Sequence, residues 1–477
     1  MDILIKIYQY FIFFYSIAIT IGYLTLAVLG FITIHKSKRR FTKGEERLLD
    51  TSSDMLPGIS IVAPAYNEEK IILDSVNSYL HLDYPKFEVV IANDGSKDKT
   101  LELLIEKYEL IEVPFSYIEK VYCKPVKKIY KSKNPLYDNL TVVDKVNGGT
   151  KADAMNAGVN VAKYDYFINT DVDCILASDT LKKVILPVLD SKTRVIAVGA
   201  TMRMSNGCYV ENGIISRAKP PQSYVPTFQE TEYLRSYLVS KMGWSMLNAI
   251  PNVSGGFGFF DKEIVINAGG FDSGSYAEDM DMTIRMITFM RERKLKYRIT
   301  QIPDTCCWTE GPPNIKILNR QRSRWGRGLF QIFVNHRRLL LNTKYGRLGM
   351  LILPYSFIFE FLAPIIEFTG ILFLIFLLFT NQVNRDTFWL MMLFVYIVGA
   401  TISLVTISYD LSVKRQFKTN LEYLRLILFS SFEALLYHPF VVIFSLRGYF
   451  QFLSRRQQKW GTMTRQGFGQ TQIRTQV

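Results

Sequence analysis

Three long apolar segments are the strongest pattern in the chain. They lie at residues 11–34, 362–380 and 388–409, and the first of them carries no charged side chain. A helix of about 20 apolar residues is long enough to cross a bilayer. Basic residues at 35–40 follow the first segment, whereas a cleaved signal peptide would carry its charges before the apolar run. The pattern therefore predicts an uncleaved anchor whose carboxyl side faces the cytoplasm.

Two less regular segments beyond residue 348 predict helices in the membrane interface. Residues 349–361 contain proline and glutamate, and residues 424–452 are interrupted at Pro439. The apolar pattern as a whole predicts four regions, which are a transmembrane anchor at 1–35, a cytoplasmic domain at 36–348, transmembrane and interfacial helices at 349–453, and a basic cytoplasmic tail at 454–477.

Short apolar runs alternate with helical patterns in the central region. Strands are predicted at 59–62, 88–93 and 164–169, and helices at 97–110 and 152–162. This alternation is typical of an α/β fold with a parallel, doubly wound sheet. Ligands of such sheets bind outside the carboxyl ends of the strands, so the residues that follow each strand are candidates for chemistry.

The rest of the central region is less regular. Residues 113–146 show little periodicity and are expected to form a partly ordered insertion. Residues 206–226 predict a second long loop, between a strand at 194–200 and a helix at 228–247. Residues 252–260 have an apolar strand pattern.

Gly255 and Gly256 interrupt that last strand pattern. Missing side chains inside a strand usually indicate that another group approaches the backbone closely, and a β-bulge is the alternative.

Asp171 and Asp173 follow the strand predicted at 164–169. If the strand continues through them, their side chains point to the same side because strand side chains alternate. Mg²⁺ and Mn²⁺ prefer oxygen ligands, often one or two carboxylates together with substrate phosphates. The pair therefore predicts a metal and diphosphate site, and a solvated acidic loop is the alternative.

Glu278 and Asp279 begin a predicted helix, with Asp281 in the same turn. A carboxylate in a closed cleft is suited to removing the proton from an attacking sugar hydroxyl, so Glu278 and Asp279 are candidate catalytic residues. Acidic residues in a first helical turn also complement the helix dipole, which is the structural alternative.

Gln321, Arg324 and Trp325 stand at helical spacing and share one face of a predicted helix. An arginine can bind phosphate oxygens in two directions, and an indole offers a flat apolar surface for a sugar ring. The alternative is an amphipathic basic helix on lipid headgroups.

The net charge of the chain agrees with the prediction of a membrane protein. Among 477 residues, Lys and Arg number 57 and Asp and Glu number 43, a net charge of +14. Beside such apolar segments, this excess favours contact with anionic lipid over nucleic acid. The five cysteines form no CxxC pair, and the four histidines no HExxH motif, so neither a disulfide framework nor a zinc site is indicated. The central region is expected in reducing cytosol.

The order of these motifs resembles that of the membrane-bound family 2 glycosyltransferases, which include the poly-N-acetylglucosamine, hyaluronan and cellulose synthases. The similarity covers about residues 55–340 and the flanking segments, and it is carried by PAYNEE at 64–69, DGS at 94–96, GGTK at 148–151 with Asn156 and Gly158, DVD at 171–173, ED at 278–279 and QRSRW at 321–325. One departure is Thr150, which stands where many relatives continue from glycine to lysine without a spacer.

The resemblance implies a GT-A fold and an inverting reaction with a UDP-activated sugar. The residues that would bind the nucleotide-sugar are Tyr66, Glu68 and Asp94 for the uridine and Lys151 and Asp171 for the diphosphate. The other implied roles are Asp173 with Asp171 for Mg²⁺ or Mn²⁺, Asp279 as general base, and Gln321, Arg324, Trp325, Gly255 and Gly256 for the diphosphate and the acceptor.

A processive polysaccharide synthase of the cell (inner) membrane is the leading interpretation, with a UDP-sugar donor carrying GlcNAc or glucose and a growing β-linked acceptor. The alternative is an enzyme that adds a single sugar to a membrane lipid, and the QRSRW motif does not separate the two. A catalytically silent membrane protein is a third class. It is disfavoured because all the expected carboxylates are present. The lipid membrane is an expected partner, nucleic acid is not, and an accessory export or membrane subunit stays open.

Overall fold

The computed structural model describes residues 2–50 and 55–454, which form two compact units. The α/β unit contains residues from 35 to 222 and Ile250–Gly311. The helical unit contains the described residues up to 34, Ser223–Ala249 and residues 312–454. Apart from residue 454, the predicted basic tail lies outside the described residues.

The α-helices of the described residues are α1 (Asp2–Asp50), α2 (Ile72–Leu80), α3 (Thr100–Lys107), α4 (Lys151–Val161), α5 (Thr180–Leu189), α6 (Tyr224–Leu234), α7 (Met242–Met246), α8 (Lys262–Asn267), α9 (Glu278–Glu292), α10 (Ile315–Asn335), α11 (Leu353–Ser356), α12 (Ala363–Phe379), α13 (Arg385–Val413), α14 (Asn420–Ser431), α15 (Glu433–Leu436) and α16 (His438–Leu453). Segments of π-helix lie at Arg235–Lys241, Leu348–Ile352 and Phe357–Phe361.

The strands of the described residues are β1 (Ile59–Ala65), β2 (Phe87–Asn93), β3 (Leu110–Glu112), β4 (Val126–Ser132), β5 (Leu140–Lys145), β6 (Tyr166–Thr170), β7 (Cys174–Leu176), β8 (Val195–Met204), β9 (Tyr209–Glu211), β10 (Ile214–Arg217), β11 (Phe257–Asp261) and β12 (Arg298–Thr309). A ten-stranded sheet has the order β3-β4-β5-β2-β1-β6-β11-β8-β12-β7, and β9 pairs with β10 separately.

The large sheet has a mixed topology. Strands β5, β2, β1 and β6 run parallel, so their carboxyl ends meet at one edge. Strand β11 runs antiparallel to β6 and to β8, and it therefore begins at that same edge. The α/β fold class is confirmed, but the prediction of a parallel sheet holds only from β5 to β6, because β4 and β11 run antiparallel to those strands. Strand β11 is reached through a long excursion, so no short βαβ connection forces it to be parallel.

Helix α4 packs closely on the centre of this sheet, as its spacing of small and apolar residues predicts. A Cβ atom on Gly158 would lie 2.3 Å from Cγ1 of Val62 on β1, which leaves no room for a side chain. The buried face of α4 includes Ala154, Met155 and Val159. Close packing at Gly158 fixes the position of the helix, and with it the position of Lys151 at its first turn.

The prediction of a partly ordered insertion at 113–146 is wrong for its second half. Strand β5 lies inside the sheet between β4 and β2, and all six of its residues are buried. Strand β5 was not predicted because its apolar run is short. The neighbouring strand β4 carries exposed lysines near the edge of the sheet, so it also lacked a clear apolar pattern.

Three helical segments of the described residues are long and apolar enough to cross a membrane, namely Ile5–Lys38, Leu348–Phe379 and Phe388–Val413. By length and composition they make the chain a membrane protein. The second segment is interrupted at Leu362, between a π-helix and α12, close to the division predicted from the sequence. A second break precedes α16, where His438 Nε2 lies 2.8 Å from a carboxylate oxygen of Glu367.

Candidate active site

Strand β6 ends at Thr170, and Asp171 and Asp173 lie in the turn that follows it. The Cys174 amide donates to the Asp171 carbonyl oxygen at 3.0 Å, which closes this turn. The Asp171 side chain is 37% exposed, whereas Asp173 is buried and its Oδ1 lies 3.6 Å from Cys174 Sγ. The expectation that both carboxylates continue the strand on one side is therefore wrong. The turn changes the direction of the chain between them.

Lys151 is the first residue of α4, and its side chain lies at the centre of the candidate site. Its Nζ donates to the Gly255 carbonyl oxygen at 2.6 Å and forms an ion pair with Asp171. Glu278 Oε1 lies 4.0 Å from the same nitrogen. Burial disfavours the ammonium charge, but the carboxylates of Asp171 and Glu278 outweigh burial and raise the pKa of Lys151. The charged lysine therefore joins the end of β6 to the loop before β11.

Thr150, the residue that departs from the family pattern, is the N-cap of α4. Its Oγ1 accepts a hydrogen bond from the Asp153 amide at 3.3 Å, as N-cap threonines do. The extra residue is therefore accommodated at the helix start, and Lys151 still reaches the candidate site.

Asp279 lies in the first turn of α9 and accepts two backbone hydrogen bonds. The Gly255 amide donates to Oδ2 at 2.9 Å, and the Met280 amide donates to Oδ1 at 2.8 Å. Gly255 therefore links two side chains of the site. Its carbonyl contacts Lys151, and its amide contacts Asp279. This linkage holds the carboxylate in one orientation at the sheet edge.

Gly255 and Gly256 form a turn before β11 and do not belong to the strand, which begins at Phe257. A Cβ atom on Gly256 would lie 2.7 Å from Met202 Cε, and one on Gly255 would lie 3.4 Å from Glu278 Oε1. The close approach to the backbone is therefore found at Gly256, whereas the distance at Gly255 is an ordinary contact.

Asp94 follows β2 and is wholly buried beside a lysine that sequence reasoning missed. Lys145 Nζ donates to Asp94 Oδ1 at 2.6 Å and to the Val146 carbonyl oxygen at 2.7 Å, and it also pairs with Asp153. The Gly148 amide donates to the same Asp94 oxygen at 2.9 Å. Asp94 Oδ2 is buried and finds no hydrogen-bond partner within the described residues. The ends of β2 and β5 and the start of α4 are thus joined by one buried charge cluster.

Tyr66 and Glu68 lie in the loop after β1, which is bound to the loop after β2. The Asn67 amide donates to Ser96 Oγ at 3.0 Å, and the Glu68 amide donates to Thr100 Oγ1 at 2.8 Å. Asn67 has a φ of 56°, a left-handed conformation that asparagine tolerates better than most residues. The backbone that carries Tyr66 and Glu68 is therefore held in place beside Asp94 by these hydrogen bonds.

Replacing Lys145 by methionine is expected to lower the free energy of unfolding by about 3–5 kcal/mol, because two buried carboxylates would lose the cation between them. Lys128→Met is the matched control, since Lys128 pairs with Glu112 on the surface and both side chains are about half exposed. This control should have little effect, because exposed ion pairs contribute little to stability. Denaturant unfolding of the full-length protein in detergent measures both, and equal losses would contradict the buried-cluster interpretation.

The predicted residues Gln321, Arg324 and Trp325 lie on α10 in the helical unit. Gln321 Oε1 accepts a hydrogen bond from Gln229 Nε2 at 2.9 Å. The guanidinium carbon of Arg322 lies 4.3 Å from the centroid of the Trp325 ring. The three residues therefore share a helix as expected, and their roles toward phosphate and sugar stay predictions.

The partners that sequence reasoning missed are Lys145, Asp153 and Gln229. Lys145 lies six residues before the predicted site residue Lys151, and Asp153 lies two residues after it. The only available signal was a charged residue at the end of an apolar run, Lys145 after Val143. Gln229 carried no signal, because its partner is distant in the chain.

Two family models match the sequence. Glycosyl transferase family 2 matches residues 60–121 and 124–240, and Glycosyl transferase family group 2 matches residues 212–404. Poly-β-1,6-N-acetyl-D-glucosamine synthase of Staphylococcus epidermidis is 25% identical over 379 residues, covering 79% of this chain and 78% of that protein. The synthase of the same name from Staphylococcus aureus strain COL is 25% identical over 334 residues, covering 70% and 68%.

A solved structure of a mannosyltransferase from Pyrobaculum calidifontis, in complex with GDP-Man and Mn²⁺, aligns with a TM-score of 0.47 and 17% identity, covering 91% of this chain and 100% of that one. The two family models together extend from residue 60 to residue 404, across both the sheet edge and α10. The chain therefore belongs to the family 2 glycosyltransferases.

Proposed function

We propose that the protein transfers N-acetylglucosamine from UDP-N-acetylglucosamine to the end of a growing β-linked polysaccharide, with inversion at the anomeric carbon. One observation carries the proposal. Lys151 contacts both Asp171 and the Gly255 carbonyl, and the Gly255 amide holds Asp279. A cation for a diphosphate and a carboxylate base thus belong to one connected cluster. The sugar is inferred from the poly-β-1,6-N-acetyl-D-glucosamine synthases that the chain resembles.

Lys151 and Asp171 would bind the donor diphosphate. As the bond between the anomeric carbon and the diphosphate oxygen breaks, its electron pair stays with UDP. The Lys151 ammonium lies where it can stabilise this developing charge. Tyr66, Glu68 and Asp94 would bind the uridine, at the neighbouring strand ends of the same sheet edge.

Asp171 and Asp173 fit a Mg²⁺ or Mn²⁺ ion that takes its other ligands from the donor. The described residues contain no group of three or more His, Cys, Asp or Glu side chains that could hold a metal, so the donor diphosphate would have to supply the other ligands. When bound, the ion would neutralise the leaving diphosphate. Asp171 is the more exposed of the two carboxylates and would contact the ion and the diphosphate first, whereas Asp173 is buried in the same turn.

Asp279 would act as the general base on the acceptor side. It accepts the proton of the acceptor hydroxyl as that oxygen attacks the anomeric carbon, so the new glycosidic bond forms as the bond to UDP breaks. Two backbone amides already orient the Asp279 carboxylate, which lowers the cost of arranging it for the reaction. Gly255 and Gly256 would leave space for the acceptor end, and Gln321, Arg324 and Trp325 would bind the acceptor and the diphosphate.

We infer that the α/β unit faces the cytoplasm of an inner membrane, with the regions 1–35, 36–348, 349–453 and 454–477 in the roles given above. Basic residues after the first candidate span support this orientation. Addition of a single sugar to a lipid is not favoured, because the curated relatives are polymer synthases.

The direct test incubates the purified full-length protein in nanodiscs with Mg²⁺ and a panel of labelled UDP-sugars, and then separates the products by size. We expect a high-mass polymer from UDP-N-acetylglucosamine, which a β-specific hexosaminidase degrades. A single glycolipid that extracts into organic solvent would refute polymer synthesis. Polymer from UDP-glucose alone would refute the assigned sugar.

Removal of divalent metal is expected to reduce polymer synthesis by about 100-fold or more, because the leaving diphosphate would lose its main neutralising charge. The measurement compares activity after EDTA treatment with activity after Mg²⁺ or Mn²⁺ is restored, and treatment with EDTA already saturated with Mg²⁺ is the control. Full activity in EDTA would show that Lys151 and neighbouring donors suffice without a metal.

A further inference from the structure

Helix α6 presents two polar residues, one helical turn apart, to the start of the QRSRW segment of α10. The first is Gln229, which is fully buried and donates through Nε2 to Gln321 Oε1 at 2.9 Å. The bond engages the oxygen of the Gln321 amide and leaves its NH₂ group as a donor. The side chain of Gln321 is therefore held in one orientation by a residue outside the motif.

Glu232 is the second residue, and its partner is Arg322. Arg322 NH1 donates to Glu232 Oε1 at 2.7 Å, and NH2 donates to Oε2, which makes the pair bidentate. The hydroxyl of Tyr437 lies 3.0 Å from the same NH2 nitrogen. Arg322 is only 4% exposed, whereas the Glu232 side chain is 22% exposed, so the arginine end of this network is the more deeply buried.

The far side of the Arg322 guanidinium contacts Trp325. Its central carbon lies 4.3 Å from the centroid of the Trp325 ring, within the range of a cation–π interaction. Because Glu232 and Tyr437 fix the plane of the guanidinium, they also fix the surface on which the indole rests. Glu232 thus acts on Trp325 through Arg322, without contacting it in any hydrogen bond that the structure shows.

Stability alone gives little reason for an ion pair at this place. Replacing a buried ion pair by well-packed neutral residues is often neutral or stabilising, since taking two charges out of water is costly. The pair instead fixes the orientation of the Arg322 guanidinium, because a bidentate Arg–Glu contact allows only one relative orientation of the two groups.

We propose that Gln229 and Glu232 are positioning residues for polymer elongation. They hold Gln321 and Trp325 in the geometry that retains the growing chain between additions, and so they set how far a chain is extended before release. This inference rests on the proposed function, in which Gln321 and Trp325 bind the acceptor.

The test uses the double variant Glu232→Gln/Arg322→Gln in the full-length protein in nanodiscs, supplied with UDP-N-acetylglucosamine and Mg²⁺. Both partners become neutral, so no buried charge is left alone. The mean product length is expected to fall about tenfold, because the retention of the chain loses one cation–π contact and its fixed geometry. The affinity for UDP should change much less than the product length, since Lys151, Asp171 and the proposed uridine-binding residues are unchanged. Product length does not depend on the fraction of active enzyme, so partial loss of folded protein alone would leave it unchanged.

Arg235→Gln/Glu433→Gln is the matched control. Arg235 directly follows α6 and forms an equivalent bidentate pair with Glu433, in the same unit, but neither residue hydrogen-bonds the QRSRW segment. Its product length should equal that of wild type. Equal shortening in both double variants would overturn the proposal, because general loosening of the helices would then explain the effect. Wild-type length in Glu232→Gln/Arg322→Gln would overturn it as well.

A second variant, Gln229→Met, keeps the side-chain volume and adds no charge. It should shorten the polymer about threefold, since it removes one hydrogen bond to Gln321. Unchanged length would overturn the role of Gln229, and this result stands even if a double variant fails to fold. Wild-type protein that makes no polymer from any UDP-sugar would refute the proposed function itself. Failure of the positioning role is distinct, because wild-type polymer is then made and the variants leave its length unchanged.

Discussion

Asp279→Asn is expected to reduce sugar transfer by about 10²- to 10⁴-fold, the usual contribution of a general base. The asparagine side chain keeps nearly the same shape, and its oxygen can still accept the hydrogen bond that the Gly255 amide donates to Asp279. It cannot take up the proton of the acceptor hydroxyl. Transfer should therefore be lost while the affinity for UDP stays near the wild-type value, measured by calorimetry on the purified protein.

Asp281→Asn is the control for this experiment. Asp281 lies in the same helical turn but is buried and forms an ion pair with Arg285, with 2.7 Å between Nε and Oδ2. Its replacement should lower stability and leave the turnover of the folded protein largely intact. An Asp279→Asn protein that still transfers sugar at a rate near wild type would remove Asp279 from the role of base. Loss of UDP binding in that variant would show instead that the carboxylate serves the donor site.

Local patterns were sufficient to predict much of the sheet edge. Helix α4 and strand β6 follow from spacing within about 20 residues, and the structure places both within two residues of the expected limits. The convergence of Glu68, Asp94 and Asp171 at one edge follows from the rule that parallel strands end together. Each of these inferences needs only neighbouring residues and a general rule of α/β topology.

Contacts between distant parts of the chain could not be predicted. Lys145 meets Asp94, which lies 51 residues earlier, and Gln229 meets Gln321, which lies 92 residues later. No periodicity encodes such pairs. The direction of β11 was missed for a related reason, because pairing with β6 and β8 is decided by tertiary packing across a long connection. The turn at Asp171 was missed because a strand and the turn that ends it have similar local composition.

Lys151→Met is expected to reduce the ratio kcat/KM for the UDP-sugar by about 10²- to 10³-fold, the effect typical of removing one preorganised charge from a transition state. The methionine keeps most of the length and the apolar character of the lysine stem. It removes the ammonium that pairs with Asp171 and the hydrogen bond to the Gly255 carbonyl. Steady-state kinetics with varied UDP-sugar measure the effect, and Lys182→Met, which breaks an exposed pair with Asp83, is the control.

The two kinetic parameters distinguish what Lys151 does. If it stabilises charge on the leaving diphosphate, kcat should fall with kcat/KM, because the interaction is strongest in the transition state. If it only binds the ground-state donor, KM should rise and kcat should stay unchanged.

The contact between Lys151 and Gly255 leads to a third expectation. Loss of the hydrogen bond to the Gly255 carbonyl should free the backbone segment whose amide orients Asp279. Adding Asp279→Asn to the Lys151→Met protein should then cost less than it costs in wild type, since the base would already be poorly oriented. Fully additive losses would show that Lys151 and Asp279 act independently.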